Sequence, residues 1–370
     1  MANLMGEAMG SRSARQSNLE LMRILLMLAI VAHHYVVNSG VLSLLPGDYG
    51  TKGLFIQMWG MWGKAAINSF VLVTGYFMCT SCLTWVKALK LWLQIKFYRI
   101  AIFLIFVITG YEIFTFGGLV RVLFNLAYGV GNGFTASFFV FYLLIPFLNR
   151  LLSALDKHAL DRLLILLLTV FVGTVTLFNS AAFNEVGWYV ALYLLAARIR
   201  LYPMKATECP RITALLFLAV VIVSIGSVAV LGPRGIERGD AVYCYRFMVD
   251  SSKVLAFLVG LFCFLFFKNL SMPHSRVVNA IASTTFGVLL IHASSDTMRQ
   301  FLWGDLLNVA GAYGLSFPLL VIHAVGSTVG IFLVCSAIDA MRLCLLERPL
   351  FDWVNRHREN IEGRLLRGLK

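Results

Sequence analysis

One apolar stretch of the chain carries three residues that could do chemistry: Arg23, His33 and His34. They stand in the segment MRILLMLAIVAHHY, residues 22–35, which otherwise consists almost entirely of Met, Ile, Leu, Ala and Val. A neutral imidazole is the natural general base near neutral pH. A guanidinium keeps its proton and can instead hold a carbonyl, a phosphate or a carboxylate. The segment therefore pairs a candidate base with a candidate anion holder in apolar surroundings that disfavour both.

A helix would place these residues in a definite arrangement. Arg23 and His34 would lie on one side, because their separation is almost three turns, and they would be about 16 Å apart along the axis. His33 would point about 100° away. Glu20 precedes Arg23 by one turn and is expected to pair with it. Ser17 and Glu20 have the spacing of a capping box, which predicts the start of the helix at this point.

The composition of the whole chain indicates a membrane protein. Its 370 residues are 59% apolar and only 13% charged, with a mean hydropathy of +0.82, whereas soluble domains have about 45–50% apolar and about 25% charged residues. We therefore expect an all-α, multi-pass membrane protein with about ten transmembrane helices. The ten apolar stretches lie at about 19–39, 56–79, 97–116, 134–151, 161–179, 186–200, 212–231, 250–268, 277–294 and 316–341.

The distribution of basic residues predicts the orientation of these helices. If the N-terminus is inside, most of the 31 lysines and arginines fall in inner segments. The eight that fall outside are Lys52, Lys64, Arg121, Arg234, Arg238, Arg246, Lys253 and Arg299. This asymmetry predicts cytoplasmic termini in a cell (inner) membrane, and it accounts for much of the net charge of +13. Since the basic residues are not gathered on one face with aromatic residues between them, we expect no nucleic-acid binding.

This orientation places His34 in the outer half of the bilayer, because residues 18 to 34 span about 24 Å of a core of about 30 Å. Arg23 lies nearer the inner interface, and an alternative interpretation lets its side chain extend there. Asn68, Tyr76 and His292 are further polar residues in apolar helices. They are candidate substrate-binding residues, or alternatively residues that form interhelical hydrogen bonds.

Other classes of site have little support in the sequence. The motifs GxSxG, GxxxxGK[ST] and HExxH are absent, so a hydrolase elbow, a P-loop and a zincin site are not indicated. Cys79 and Cys82 have CxxC spacing but lack a second ligand pair, and no metal site is expected. Residues 1–346 are interpreted as one integral membrane domain, and residues 347–370 as a cytoplasmic tail.

Several stretches together resemble the acyltransferase-3 family of integral membrane acyltransferases. Its first helix carries an arginine, ten residues and a histidine, a spacing that Arg23 and His34 match and His33 does not. TGYF resembles the SGYF segment of helix 2, and KFYR resembles the basic RxxR segment entering helix 3. Further stretches resemble the polysaccharide O-acetyltransferase branch, namely SFFVFYLLIPFLN (137–149), WYVALYL (188–194) with RIRLY (198–202), and TFGVLLIH (285–292).

The resemblance implies transfer of an acyl group, usually acetyl from acetyl-CoA, to a hydroxyl of an extracytoplasmic or lipid-linked glycan. It implies that His34 and Arg23 are essential, and that Lys96 and Arg99 serve the acyl donor. Lys96 replaces an arginine, and a lysine offers a point charge rather than a bidentate fork. An alternative interpretation makes both residues ordinary inner-face anchors.

The mechanism and some alternatives stay open at this point. His34 could remove a proton from the acceptor hydroxyl, or it could become transiently acylated and relay the acyl group. A secondary transporter could instead use the buried Arg and His residues in its substrate or proton path. A structural partner in a glycan assembly complex would not need His34. The sequence leaves the sugar, the acyl group and the oligomeric state undetermined.

Overall fold

The computed structural model describes residues 16–129, 133–178 and 185–357, except for the side chain of Asn355, and these residues form helices without any strand. The first part of the chain contains α1 (Ser17–Val37), α2 (Gly50–Gly60), α3 (Gly63–Met78), α4 (Trp85–Ile108), α5 (Phe116–Leu123), α6 (Asn125–Tyr128) and α7 (Phe134–Ala154). Next come α8 (Lys157–Leu168), α9 (Val175–Phe178), α10 (Glu185–Leu201), α11 (Lys205–Glu208), α12 (Pro210–Glu237) and α13 (Val254–Asn269). The last part contains α14 (Arg276–Ala282), α15 (Thr285–His292), α16 (Asp296–Arg299), α17 (Val309–Ala312), α18 (Phe317–Arg342) and α19 (Arg348–Arg356).

Several of the described helices have the length and composition of membrane spans. Six stretches qualify alone, and a seventh is added if α14–α15 and α16–α17, which meet at a bend of 98°, count as one span. The six are Ser17–Val37, Trp85–Ile108, Phe134–Ala154, Lys157–Phe178, Pro210–Glu237 and Phe317–Val354. The all-α, multi-pass fold is therefore confirmed. The count of ten spans, the cytoplasmic termini and the division at residue 346 stay predictions.

The interior of the bundle is built around α3, which packs against α1, α10 and α13. Small residues allow these close contacts. A Cβ on Gly75 would lie 2.9 Å from the Cβ of Ala196, and one on Gly260 would lie 2.6 Å from the Cβ of Asn68. Helices in membranes associate largely through such packing, because lipid tails remove the hydrophobic drive between them. Close packing of α3 therefore fixes the positions of its polar residues.

The position of the start of α1 agrees with the sequence prediction, but its capping differs. The helix begins at Ser17 and has no side-chain cap. The Oγ of Ser17 instead donates to Oδ1 of Asn279 at 3.1 Å and accepts the backbone N–H of Ser275 at 2.8 Å. Glu20 pairs with Arg23 at 3.2 Å, as expected. The predicted capping box is wrong, because the hydroxyl of Ser17 joins α1 to α14.

The position of α4 also differs. It begins at Trp85, where Oγ1 of Thr84 accepts the backbone N–H of Lys87, rather than near residue 97. The start predicted from hydropathy was too late, because the lysines of the first turns lower the mean hydropathy of an otherwise apolar helix. Lys96 and Arg99 consequently lie well inside a helix, and not at its entrance as the sequence predicted.

Candidate functional site

A cavity of about 510 Å³ lies where α1 and α15 end and where α3, α7 and α10 begin. The count of lysines and arginines predicts that this end of the bundle is extracytoplasmic. The charged and titratable residues of its wall are His33, His34, Lys64, Arg99, Glu185, Asp296 and Arg299. The cavity thus combines two imidazoles with three cations and two carboxylates.

His34 is hydrogen-bonded to a second histidine, His292. Nδ1 of His292 lies 2.6 Å from the carbonyl oxygen of Val288, and because a carbonyl only accepts, this nitrogen carries the proton. Nε2 of neutral His292 then holds a lone pair, and it lies 2.9 Å from Nδ1 of His34. His34 therefore donates from Nδ1. The hydrogen bonds assign to His34 the tautomer whose Nε2 carries a lone pair.

His292 itself is fully buried and is not among the residues that line the cavity. Its ring lies edge-on to the indole of Trp303, with 6.4 Å between the ring centroids. The sequence made His292 a candidate for substrate binding, whereas the structure brings it to His34. The signals in the sequence were a histidine in an apolar helix and its place at the end of the resembling segment TFGVLLIH. Neither indicated which residue this histidine would contact.

His33, which does not match the spacing of the resembled family, also lines the cavity. Its Nδ1 lies 2.5 Å from the carbonyl oxygen of Gly60, at the end of α2. The ring occupies space beside Gly63, where a Cβ would lie 2.4 Å from Cγ of His33. The two imidazole centroids of His33 and His34 are 5.7 Å apart. His33 contacts α2 and α3, and His34 contacts α15. Residues of α3 and α15 also line the cavity, so both histidines can contribute to it.

Arg23, the other residue of the predicted catalytic pair, is not part of the cavity wall. It pairs with Glu20 at 3.2 Å, and 29% of its side chain is exposed. Its separation from His34 is about 16 Å along the straight helix. The structure therefore does not bring the two predicted catalytic residues together.

The two predicted donor-binding residues separate in the structure. Nζ of Lys96 donates to the carbonyl oxygen of Leu123 at 2.5 Å and to Oδ1 of Asn125 at 2.7 Å, so this ammonium fastens the α5–α6 connection to α4. Arg99 instead lines the cavity. Its Nε is buried and has no hydrogen-bond partner within the described part of the chain. Of the two, only Arg99 lies where it can contact a molecule bound beside His34.

The remaining candidates, Asn68 and Tyr76, lie outside the cavity wall. Nδ2 of Asn68 donates to the carbonyl oxygens of Ser251 and Ala256 at 2.7 and 3.0 Å, and its Oδ1 accepts the indole N–H of Trp188 at 2.9 Å. The hydroxyl of Tyr76 accepts a hydrogen bond from Arg200 at 2.8 Å. Both residues join helices.

Replacing Asn68 with Leu should lower stability rather than alter a substrate contact. The change removes the hydrogen bonds of Asn68 to Trp188, Ser251 and Ala256, and a buried group left unpaired, such as the Trp188 indole N–H, costs about 1–3 kcal/mol. We expect a lower unfolding temperature in detergent, measured by tryptophan fluorescence. Thr74→Val is the matched control on the same helix, because the hydroxyl of Thr74 bonds, among the described residues, to the carbonyl of Phe70 one turn away. An unchanged unfolding temperature together with lost activity would instead make Asn68 a substrate contact.

The described residues contain no group of three or more His, Cys, Asp or Glu side chains that could hold a metal ion. All seven cysteines are free thiols. Outside the membrane spans, burial raises the pKa of the Cys244 thiol to about 12, so this thiol is protonated at neutral pH.

Comparison with known proteins gives one match. A family model described as an acyltransferase domain matches residues 16–339. No curated protein and no solved structure matches the chain. The matched range runs from the residue before α1 to near the end of α18, and it includes every residue of the cavity wall.

Proposed function

The chain belongs to the acyltransferase-3 family, and from that membership we propose that it moves an acetyl group from acetyl-CoA to a hydroxyl of a surface polysaccharide or its lipid-linked precursor. Family membership and the apolar helices make it a membrane acyltransferase. The observation that carries the finer proposal is the chain of hydrogen bonds from Val288 through His292 to His34, which lines the cavity. These bonds assign a lone pair to Nε2 of His34. The proposed membrane is the cell (inner) membrane.

An imidazole nitrogen that carries a lone pair can act in acyl transfer as a base or as a nucleophile. It can take the proton of a hydroxyl, or it can attack the thioester carbon. The cavity lies where α1 and α15 end and where α3, α7 and α10 begin. In the orientation predicted from the basic residues, this end of the bundle is outside. The location therefore fits an acceptor that arrives from outside. Acetyl-CoA is made in the cytoplasm, so the acetyl group must travel through the bundle to reach His34.

The charges around His34 suit a reaction in which negative charge develops on the thioester oxygen. Preorganised donors aimed at such an oxyanion are commonly the largest contribution to acyl transfer. Nη1 of Arg299 pairs with Asp296 at 2.9 Å, and Nε of Arg99 and Nε of Arg299 are both buried without a partner among the described residues. Nζ of Lys96, in contrast, is already bonded to Leu123 and Asn125. We therefore keep Arg99, and not Lys96, as the candidate contact for the acyl donor.

Arg99→Gln should raise KM for acetyl-CoA or lower kcat/KM by about 10- to 100-fold, because a charged donor to a buried ligand is worth about 1.5–3 kcal/mol. Arg99→Lys keeps the charge and should retain part of the activity, but it loses the fork geometry. Initial rates measured over a range of acetyl-CoA concentrations check this. Unchanged kinetics in Arg99→Gln would exclude Arg99 as a donor contact.

The test of the proposed function uses the purified full-length chain in lipid nanodiscs. We expect radiolabelled acetyl-CoA to release CoA, with label appearing as an ester in a glycan extracted from the same cells. No CoA release and no ester would contradict acyl transfer. Accumulation of labelled sugars in proteoliposomes would then support the transporter.

A further inference from the structure

We propose that His33 is a second catalytic base of this cavity, which takes the proton of the acceptor hydroxyl while His34 carries the acyl group. The inference rests on the proposed acyl transfer and assigns its two half-reactions to different imidazoles. It starts from two neighbouring side chains of α1 that line one cavity.

The hydrogen bond of His33 assigns its proton. Nδ1 lies 2.5 Å from the carbonyl oxygen of Gly60, which can only accept, so neutral His33 carries its proton on Nδ1 and a lone pair on Nε2. No hydrogen bond from the described residues occupies this Nε2. His33 therefore presents the same basic nitrogen as His34, although it is anchored to a different helix.

The anchoring of His33 uses only one of its two nitrogens. A donor at the position of Nδ1 would be enough to bond the carbonyl of Gly60, and an asparagine amide could supply it. A purely structural role thus explains Nδ1 but leaves Nε2 without a function. The space beside Gly63 holds the imidazole ring against the cavity, since any larger residue there would collide with the ring.

One imidazole cannot perform both parts of a relay. Once Nε2 of His34 is bonded to an acyl carbon, it has no lone pair to take a proton from the acceptor. A second base near the acyl group is then needed, and His33 lies 5.7 Å away between ring centroids, at a tilt of 46°. The relay also separates in time the donor, which comes from the cytoplasm, and the acceptor, which comes from outside.

In the first half-reaction, the lone pair of His34 Nε2 attacks the thioester carbonyl carbon. The carbon–sulfur bond breaks, CoA leaves as the thiolate, and His34 becomes an acyl-imidazolium that keeps its Nδ1 proton. That proton stays hydrogen-bonded to Nε2 of His292. The thiolate then takes a proton from water.

In the second half-reaction, Nε2 of His33 takes the proton of the acceptor hydroxyl as its oxygen attacks the acyl carbon. The bond between that carbon and Nε2 of His34 breaks, which returns the electron pair to His34. The products are the ester, neutral His34 and protonated His33. His33 then releases its proton to water, so the protons of the two half-reactions balance.

The test compares His33→Asn with His34→Ala in nanodiscs supplied with radiolabelled acetyl-CoA and acceptor glycan. In His33→Asn the amide can keep the bond to Gly60 but has no basic nitrogen. We expect one burst of about one CoA per protein, label retained on the protein and released by hydroxylamine, and ester formation slowed about 100-fold or more. Added imidazole should restore part of the rate. His34→Ala should give no burst and no label.

Two outcomes would overturn the inference: ester formation at the wild-type rate in His33→Asn, or a slow variant that never retains label. Folding of the variant is checked by its elution volume and by its unfolding temperature. These outcomes differ from failure of the proposed function, in which the wild-type chain itself releases no CoA and forms no ester.

Discussion

We expect His34→Ala to abolish acyl transfer, by about 1,000-fold or more, with the protein still at its normal level in the membrane. The substitution removes the nitrogen that the His292 hydrogen bond holds free for chemistry. Alanine leaves the rest of α1 intact, since the hydrogen bonds that join α1 to α14 come from Ser17. The measurement is the content of O-acetyl esters on the surface glycan by NMR, with membrane levels followed by immunoblotting.

His323→Gln is the matched control for His34→Ala. His323 is also a histidine within the bundle, but it bonds Tyr35 and the carbonyl of Leu307 and does not line the cavity. Acetylation should persist in this variant. Normal ester content in His34→Ala would contradict the proposed chemistry, and it would favour a structural partner in glycan assembly, which does not need His34.

His292→Leu should lower kcat by about 100-fold or more and leave KM for acetyl-CoA nearly unchanged. Without an acceptor for its Nδ1 proton, His34 can move that proton to Nε2 and lose the lone pair on this nitrogen. Loss of the orienting carboxylate in a catalytic triad acts in the same way and costs about 10,000-fold. Steady-state kinetics with purified protein separate kcat from KM.

His292→Gln distinguishes positioning from packing. The amide oxygen of glutamine can reach about the place of Nε2 and accept the Nδ1 proton of His34, so this variant should recover part of kcat. A leucine has no acceptor to offer but fills similar space. Equal loss in both variants would make His292 a packing residue, and a raised KM with normal kcat would make it the substrate contact that the sequence predicted.

Much of the fold follows from the sequence because hydropathy is a property of long segments. Each predicted apolar stretch overlaps one or more helices, and the family match covers most of the chain. The starts of helices were less predictable. Ser17 is a residue type that commonly caps helices, but its hydroxyl bonds to Asn279 of α14 instead. Local patterns cannot show such competition, because the competitor is hundreds of residues away.

The candidate site was predictable in part. His34 could be identified from its spacing to Arg23 in the sequence, because both residues belong to one helix. His33 and His292 required the fold, since their significance depends on which residues their nitrogens contact. Asn68 has the same description in the sequence as His292, a polar residue in an apolar helix, yet its contacts join α3 to neighbouring helices.

The hydrogen-bond chain behind His34 ends on the main-chain carbonyl of Val288. Every amino acid supplies that atom, and helical geometry alone brings it to the imidazole one turn later. This hydrogen bond therefore requires no particular side chain at position 288, and only the size of the buried side chain is constrained. A codon-by-codon scan would report only this size constraint, although the carbonyl oxygen of the residue holds the proposed reaction centre. The function of such an atom is invisible to any method that reads importance from residue identity.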